Sequence, residues 1–243
     1  MKMSLFCLTC NKETPVGVDQ KVDFEDGGVY RYRCKNEHEI STYLDKTKPE
    51  ILFEIGLRAF VDGYYRESIA TFTSALERSF ELYIELRAIH EGRAEFFPKF
   101  WKLVTNQSER QLGAFAYAWF QAHGAPFEEL DEAMTALRNR SIHKGQFTSK
   151  AEAEKYGSYV YCIINKIFAS LISDLGERDA QDLMNTKFEQ IHLSACKILG
   201  LEKVPGTRMS TAIDLKNLEK LGARKFEEVA ETIQLFKANF KDF

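Results

Sequence analysis

Two closely spaced pairs of metal-ligand residues, Cys7-x2-Cys10 and Cys34-x3-His38, lie within residues 1–48 and are separated by 23 residues. They constrain the fold more than anything else in the chain. A segment of this length buries too little apolar surface to form an ordinary core, and such segments are usually held by a metal or a disulfide. Thiolates and a neutral imidazole suit a tetrahedral ion, and each close pair binds it through one tight turn. The expectation is a zinc site formed by Cys7, Cys10, Cys34 and His38. Four protein ligands leave no position for water, so the ion is structural. Between the pairs, Val16, Val18, Val22, Phe24, Val29, Tyr30 and Tyr32 read as short strands, and Asp26-Gly27-Gly28 as a turn.

This pattern resembles a zinc ribbon, with histidine replacing the commoner fourth cysteine. Such modules bind nucleic acid, bind protein or brace a neighbour, and the residues do not choose among these. The pattern changes near Pro49, after which apolar residues recur at helical spacing. Three segments are expected: a metal module at 1–48, a helical domain at 49–205 and a helical extension at 206–243. At 44% hydrophobic and 28% charged residues, the chain has enough apolar surface to fold. A net charge of -3 argues against coating nucleic acid by bulk charge, though not against a local basic site. Five cysteines are too few for a secreted disulfide scaffold. With no signal-like leader and no apolar run long enough to span a bilayer, a cytoplasmic protein without a membrane partner is expected.

Helices are expected at about 49–61, 64–90, 109–122, 126–143, 149–173 and 177–199. Ile51, Leu52, Ile55 and Phe60 supply apolar faces in the first. Ile69, Phe72, Leu76, Phe80 and Tyr83 form the stripe of the second, and Leu130, Met134 and Leu137 that of the fourth. Tyr156, Val160, Ile163, Ile167 and Leu171 serve the fifth, and Met184, Phe188, Ile191, Ala195 and Ile198 the sixth. Ser108 with Gln111, and Ser149 with Glu152, look like capping boxes. Pro98 is expected to break the aromatic stretch Phe96–Val104, and Pro205-Gly206 to mark a linker before helical segments near 210–220 and 222–240. The fold class is mainly α: a helical bundle with a small N-terminal β ribbon.

One segment carries candidate chemistry. Residues 138–145 read Arg-Asn-Arg-Ser-Ile-His-Lys-Gly, and 138–150 contains Arg138, Arg140, Lys144 and Lys150 but no acid. Upstream lie Glu128, Glu129, Asp131 and Glu132, so part of this polarity simply suits a helix dipole. His143 could move a proton to or from a ribose or phosphate oxygen near neutral pH. A guanidinium at Arg138 could hold a phosphate and stabilise charge in the transition state. Five residues apart on a helix, the two side chains diverge by about 140°. They converge only if the helix ends between them or a second subunit completes the site.

The run Arg138-Asn139-x3-His143 resembles the R-x(4–6)-H motif of HEPN domains, all-α domains found in toxin–antitoxin, abortive-infection and CRISPR-associated ribonucleases. The segment GYYRESIATFTSALERSFELYIE at 63–85 also resembles a helix of that family, and the likeness spans about 49–200. The resemblance implies a metal-independent endoribonuclease, with a toxin or antiviral-defence role. Arg138 and His143 would be catalytic and Asn139 would support them. Arg140 and Lys144 would hold RNA, and Glu77 would orient Arg138. Implied partners are RNA, a second copy forming a homodimer with a composite site, and an antitoxin or other regulatory protein. The alternative from another class is a non-catalytic HEPN module that binds RNA, a nucleotide or a protein. His192 and Cys196 are spaced like metal ligands but are only two. Cys162 reads as a core thiol and His90 as exposed.

Overall fold

The computed structural model describes residues 2–5, 7, 9–10, 20–207 and 209–239. Val16 and Val18 lie outside them. The chain is mainly helical with a small β module, and it divides into two compact units. The smaller comprises residues up to Lys46 together with Thr186–Ser210. The larger comprises Thr47–Asn185 and the described residues from Thr211 onward.

The small unit contains two antiparallel pairs. β1 (Lys2–Leu5) pairs with β2 (Gln20–Asp23), and β3 (Val29–Arg33) with β4 (Glu39–Leu44). A ligand pair lies within each connection: Cys7 and Cys10 between β1 and β2, Cys34 and His38 between β3 and β4. Asp26-Gly27-Gly28 forms a turn, closed by the Gly28 N–H on the Glu25 carbonyl at 2.9 Å. That turn joins strands of two different sheets rather than making the hairpin its sequence suggests.

Residues far along the chain complete this unit. Pro205-Gly206 is not a linker: β5 (Gly206–Thr207) adds parallel to β4, opposite Tyr43 and Leu44. Thr42 Oγ1 donates to the Pro205 carbonyl at 2.8 Å. A helix crosses the division between units, and its second half carries Ala195 and Cys196 into a buried cluster with Tyr43 and Val204. Arg31 donates to the Leu199 carbonyl at 3.0 Å, satisfying one of the end carbonyls of that helix. The ribbon therefore does have an apolar core, in which residues of 186–210 pack with Tyr43 and Val29 from within 1–48.

In the larger unit the helices are α1 (Lys48–Val61), α2 (Tyr65–His90), α3 (Phe97–Val104), α4 (Ser108–His123), α5 (Glu132–His143) and α6 (Lys150–Leu175). The crossing helix is α7 (Glu177–Leu199), and α8 (Phe226–Asn239) follows. α2 packs against α1, α3, α4, α5 and α6, and its expected stripe is buried throughout. Phe226 meets Phe53 and Phe72 edge to face, and those two rings are tilted against each other, around two glycines. A Cβ on Gly157 would come within 2.5 Å of the Phe226 ring, and one on Gly56 within 2.7 Å of Phe72. The tail is thus part of the bundle core, not an extension from it.

Several local expectations are corrected. Pro98 does not break a helix: it occupies the first turn of α3, where its missing N–H costs nothing. α5 starts at Glu132 rather than near Pro126, because Asp131 accepts from the Ala133 and Met134 N–H groups at 2.7 and 3.3 Å. Leu130 is left exposed, as are Ile198 and Cys162. Ile51, Leu52 and Ile55 are only half-buried, while Phe53 and Leu57 carry the core face of α1. Residues 210–217 are irregular, with a 3₁₀ turn at Leu218–Lys220. The Ser149–Glu152 capping box is present. That of Ser108 and Gln111 is not: Gln107 holds the N-cap position without a side-chain bond, Ser108 accepts from Arg138, and Gln111 accepts from Arg78 and donates to the Thr105 carbonyl.

Candidate functional site

Within the ribbon, the ligand atoms of Cys7, Cys10, Cys34 and His38 all lie within 4.8 Å of one another and could hold a metal ion. Arms of about 2.3 Å to sulfur and about 2.0 Å to nitrogen give tetrahedral edges of about 3.8 Å between sulfurs and about 3.5 Å from sulfur to nitrogen. The Cys10–Cys34 separation is 3.7 Å, and His38 Nδ1 lies 3.7, 3.3 and 3.5 Å from Cys7, Cys10 and Cys34. The turns that place them are local. The Cys10 N–H points at Cys7 Sγ at 3.4 Å, and Glu37, at φ 60°, reverses the chain between Cys34 and His38. Asn36 Nδ2 donates to Cys10 Sγ at 3.3 Å, orienting that ligand from outside the set. Burial pushes the Cys7 thiol up, but hydrogen bonds from the Cys10 backbone and the surrounding thiols and imidazole bring it down to about 7.

The second cluster centres on Arg138. Its guanidinium points into the bundle, with 17% of the side chain exposed, and donates to Glu77 and Ser108 at 3.3 Å each and to Asn139 at 3.1 Å. Glu77 comes from α2 and Ser108 from the first turn of α4. The Arg138 Nε–H is buried without a hydrogen-bond partner among the described residues. Tyr156 on α6 feels the charge of Arg138 and bonds Thr73 of α2 at 2.8 Å; burial pushes its phenol up to about 12. Arg138, Asn139 and Glu77 are therefore brought together.

His143 is not joined to them. α5 is unbroken from Glu132 to His143, so the divergence of about 140° stands within one subunit. His143 is exposed at the end of the helix, and among the described residues no hydrogen bond links it to Arg138. Arg140 lies 3.7 Å from Glu152, and Lys144 is exposed at the C-cap. Arg66 reaches from α2 to the Ser141 carbonyl at 3.1 Å and tethers that end of α5.

Sequence reasoning missed Ser108, Thr73 and Tyr156, since no local pattern relates residues on separate helices. It also missed a chain of polar side chains that starts from α2. There His123 lies between Tyr83 Oη (3.2 Å from Nε2) and Asp174 (3.1 Å from Nδ1), and Asp174 accepts from Arg87 at 2.9 Å. Tyr83 is fully buried while Asp174 is exposed, and the chain ties α2, α4 and α6 together. His192 and Cys196 lie 3.6 Å apart beside Tyr43 without a third ligand among the described residues. Among the described residues no helix is long and apolar enough to cross a membrane. No family model, curated protein or solved structure matches the chain.

Proposed function

We propose that the chain is a metal-independent endoribonuclease of the HEPN type acting as a homodimer. The supporting observation is the Arg138 guanidinium, held by Glu77, Ser108 and Asn139, with an Nε–H unbonded among the described residues, on the same helix as a solvent-open His143. A pre-oriented cation costs no reorganisation when negative charge grows on the phosphoryl oxygens. In the proposed reaction His143 accepts the 2′-hydroxyl proton while O2′ attacks phosphorus. The 5′-oxygen leaves with a proton from the partner subunit's His143, giving a 2′,3′-cyclic phosphate and a 5′-hydroxyl. Arg140 and Lys144 hold flanking phosphates. Toxin or antiviral activity, with a regulatory protein, would follow from such an enzyme.

RNA cleavage without added divalent ions, with the ribbon's own metal left in place, tests this. His143→Ala should lower the rate by about 10²–10⁴-fold, and Arg138→Ala by about 10²–10³-fold. Equal rates in all three proteins would remove the assignment. The Arg138–Glu77 ion pair favours a second reading, a non-catalytic module in which Arg138 only joins α5 to α2 and α4. Under that reading Arg138→Ala lowers the melting temperature, while wild type cleaves no RNA.

We also infer that the ribbon's ion is zinc. Three thiols and an imidazole form a closed, soft-to-borderline set with edges of the right length. Elemental analysis of protein purified without chelator should find one zinc per chain and none in Cys34→Ser.

A further inference from the structure

The loop joining α5 to α6 carries Phe147, 95% exposed, the most open of the large apolar side chains described. Its exposure is built in, because the residues on both sides are tied back. The Gln146 N–H bonds the Arg140 carbonyl at 3.2 Å, and Thr148 Oγ1 lies 2.6 Å from Ser141 Oγ. Gly145, at φ 63°, turns the chain out of α5, and the Ser149–Glu152 capping box starts α6 immediately afterwards. A loop anchored at both shoulders holds the Phe147 backbone at the surface.

The charge around the ring identifies its occupant. No acid occurs from residue 133 to 151, and exposed Lys144 and Lys150 stand three residues to either side of Phe147. Glu152, the nearest acid after the loop, is already engaged by Ser149 and Arg140. An apolar partner would have to desolvate both lysines. A polyanion with flat apolar faces satisfies ring and lysines together. Bases in a duplex are already stacked on their neighbours, whereas those of a single strand are free to stack on an aromatic ring.

We propose that Phe147 is a base-stacking platform, flanked by Lys144 and Lys150 as phosphate contacts, which makes single-stranded RNA the ligand of this face. This deepens the ribonuclease reading and rests on its assignment of RNA as substrate. The loop follows His143 directly in the chain, so a strand held here is delivered next to the proposed proton carrier.

Fluorescence polarisation on the full chain tests the proposal. The probes are a 2′-O-methyl single-stranded RNA, which cannot be cleaved, a duplex of the same length, and inorganic polyphosphate. Phe147→Ala should bind the single strand about 10–100-fold more weakly and polyphosphate as wild type does. Phe147→Trp should retain binding, with its indole emission quenched by the single strand. Lys144→Gln with Lys150→Gln should weaken both anionic probes. Wild type and Phe147→Ala binding alike, no preference over duplex, no RNA binding, or preference for polyglutamate over RNA each overturn the platform. Separate cleavage assays distinguish the two proposals. Cleavage lost in His143→Ala with binding unaltered in Phe147→Ala removes the platform and leaves the nuclease. Binding lost in Phe147→Ala with no cleavage by wild type does the reverse.

Discussion

Gly157 shows how much can depend on one missing methyl group. Its place in the middle of α6 is costly by helix propensity, and alanine there would ordinarily stabilise the helix by about 1 kcal/mol. Here the added Cβ would meet Phe226 and Phe72 at 2.5 and 2.8 Å. Overpacking should win, so Gly157→Ala is expected to destabilise by about 1–3 kcal/mol; a higher melting temperature would mean the rings can move aside. Tyr156, one residue earlier, has a consequence at high pH. Its phenol stays protonated up to about pH 12, against an ordinary value of 10.0. Between those values the unfolded chain has released a proton that the folded chain keeps, so stability falls as pH rises, by about 1.4 kcal/mol per unit. Burial raises Tyr83 too, in the same direction. Alkaline unfolding followed by circular dichroism should therefore be shallower between pH 10 and 12 for Tyr156→Phe than for wild type, and an unchanged slope would contradict its burial. At this scale residue type and spacing picked out the four Cys and His residues that the fold brings together, and Arg138 with its neighbours Asn139 and Glu77, whereas His143 stands apart from them. Ser108 was misread, because a serine that could cap its own helix instead accepts from an arginine thirty residues away.

The elements themselves were largely legible, since helical periodicity and caps are local properties. α2 and α6 have the stripes their spacing implies, and α7 has the predicted limits. Errors fell where two local signals compete. Pro126 and Asp131 both invite a helix start, and the carboxylate prevails because it satisfies two free N–H groups. Pro98 reads as a breaker inside a helix and as a starter at its first turn, and only the position of the turn decides. β5 was invisible, because a two-residue strand beside proline has no period of its own. It holds the ribbon through Tyr43 and Leu44. A peptide of residues 1–48 with zinc should therefore show fewer protected amides in β4 than the full chain does, as measured by hydrogen exchange. Equal protection would show that 186–210 is dispensable to the sheet.

Across the molecule, the boundary near residue 48 corresponds closely to the Lys46/Thr47 division, but neither unit is continuous in sequence. The described tail from Thr211 joins the bundle through Phe226. It is further tied by the Gly222 N–H on Asn165 at 3.0 Å and the Leu215 N–H on buried Glu50 at 3.2 Å. Phe226→Ala should cost about 3–5 kcal/mol, read by denaturant unfolding of the helical signal; a change within error would show the tail to be peripheral. The sequence by itself determined the fold class, most helices, the metal-ligand set and the basic window, because each depends on residues near one another in the chain. Tertiary structure alone decided which distant segment completes the ribbon's core and that Glu77 and Ser108 hold Arg138. Those outcomes depend on packing and hydrogen bonds between residues far apart in the chain, and a one-dimensional pattern carries no record of them.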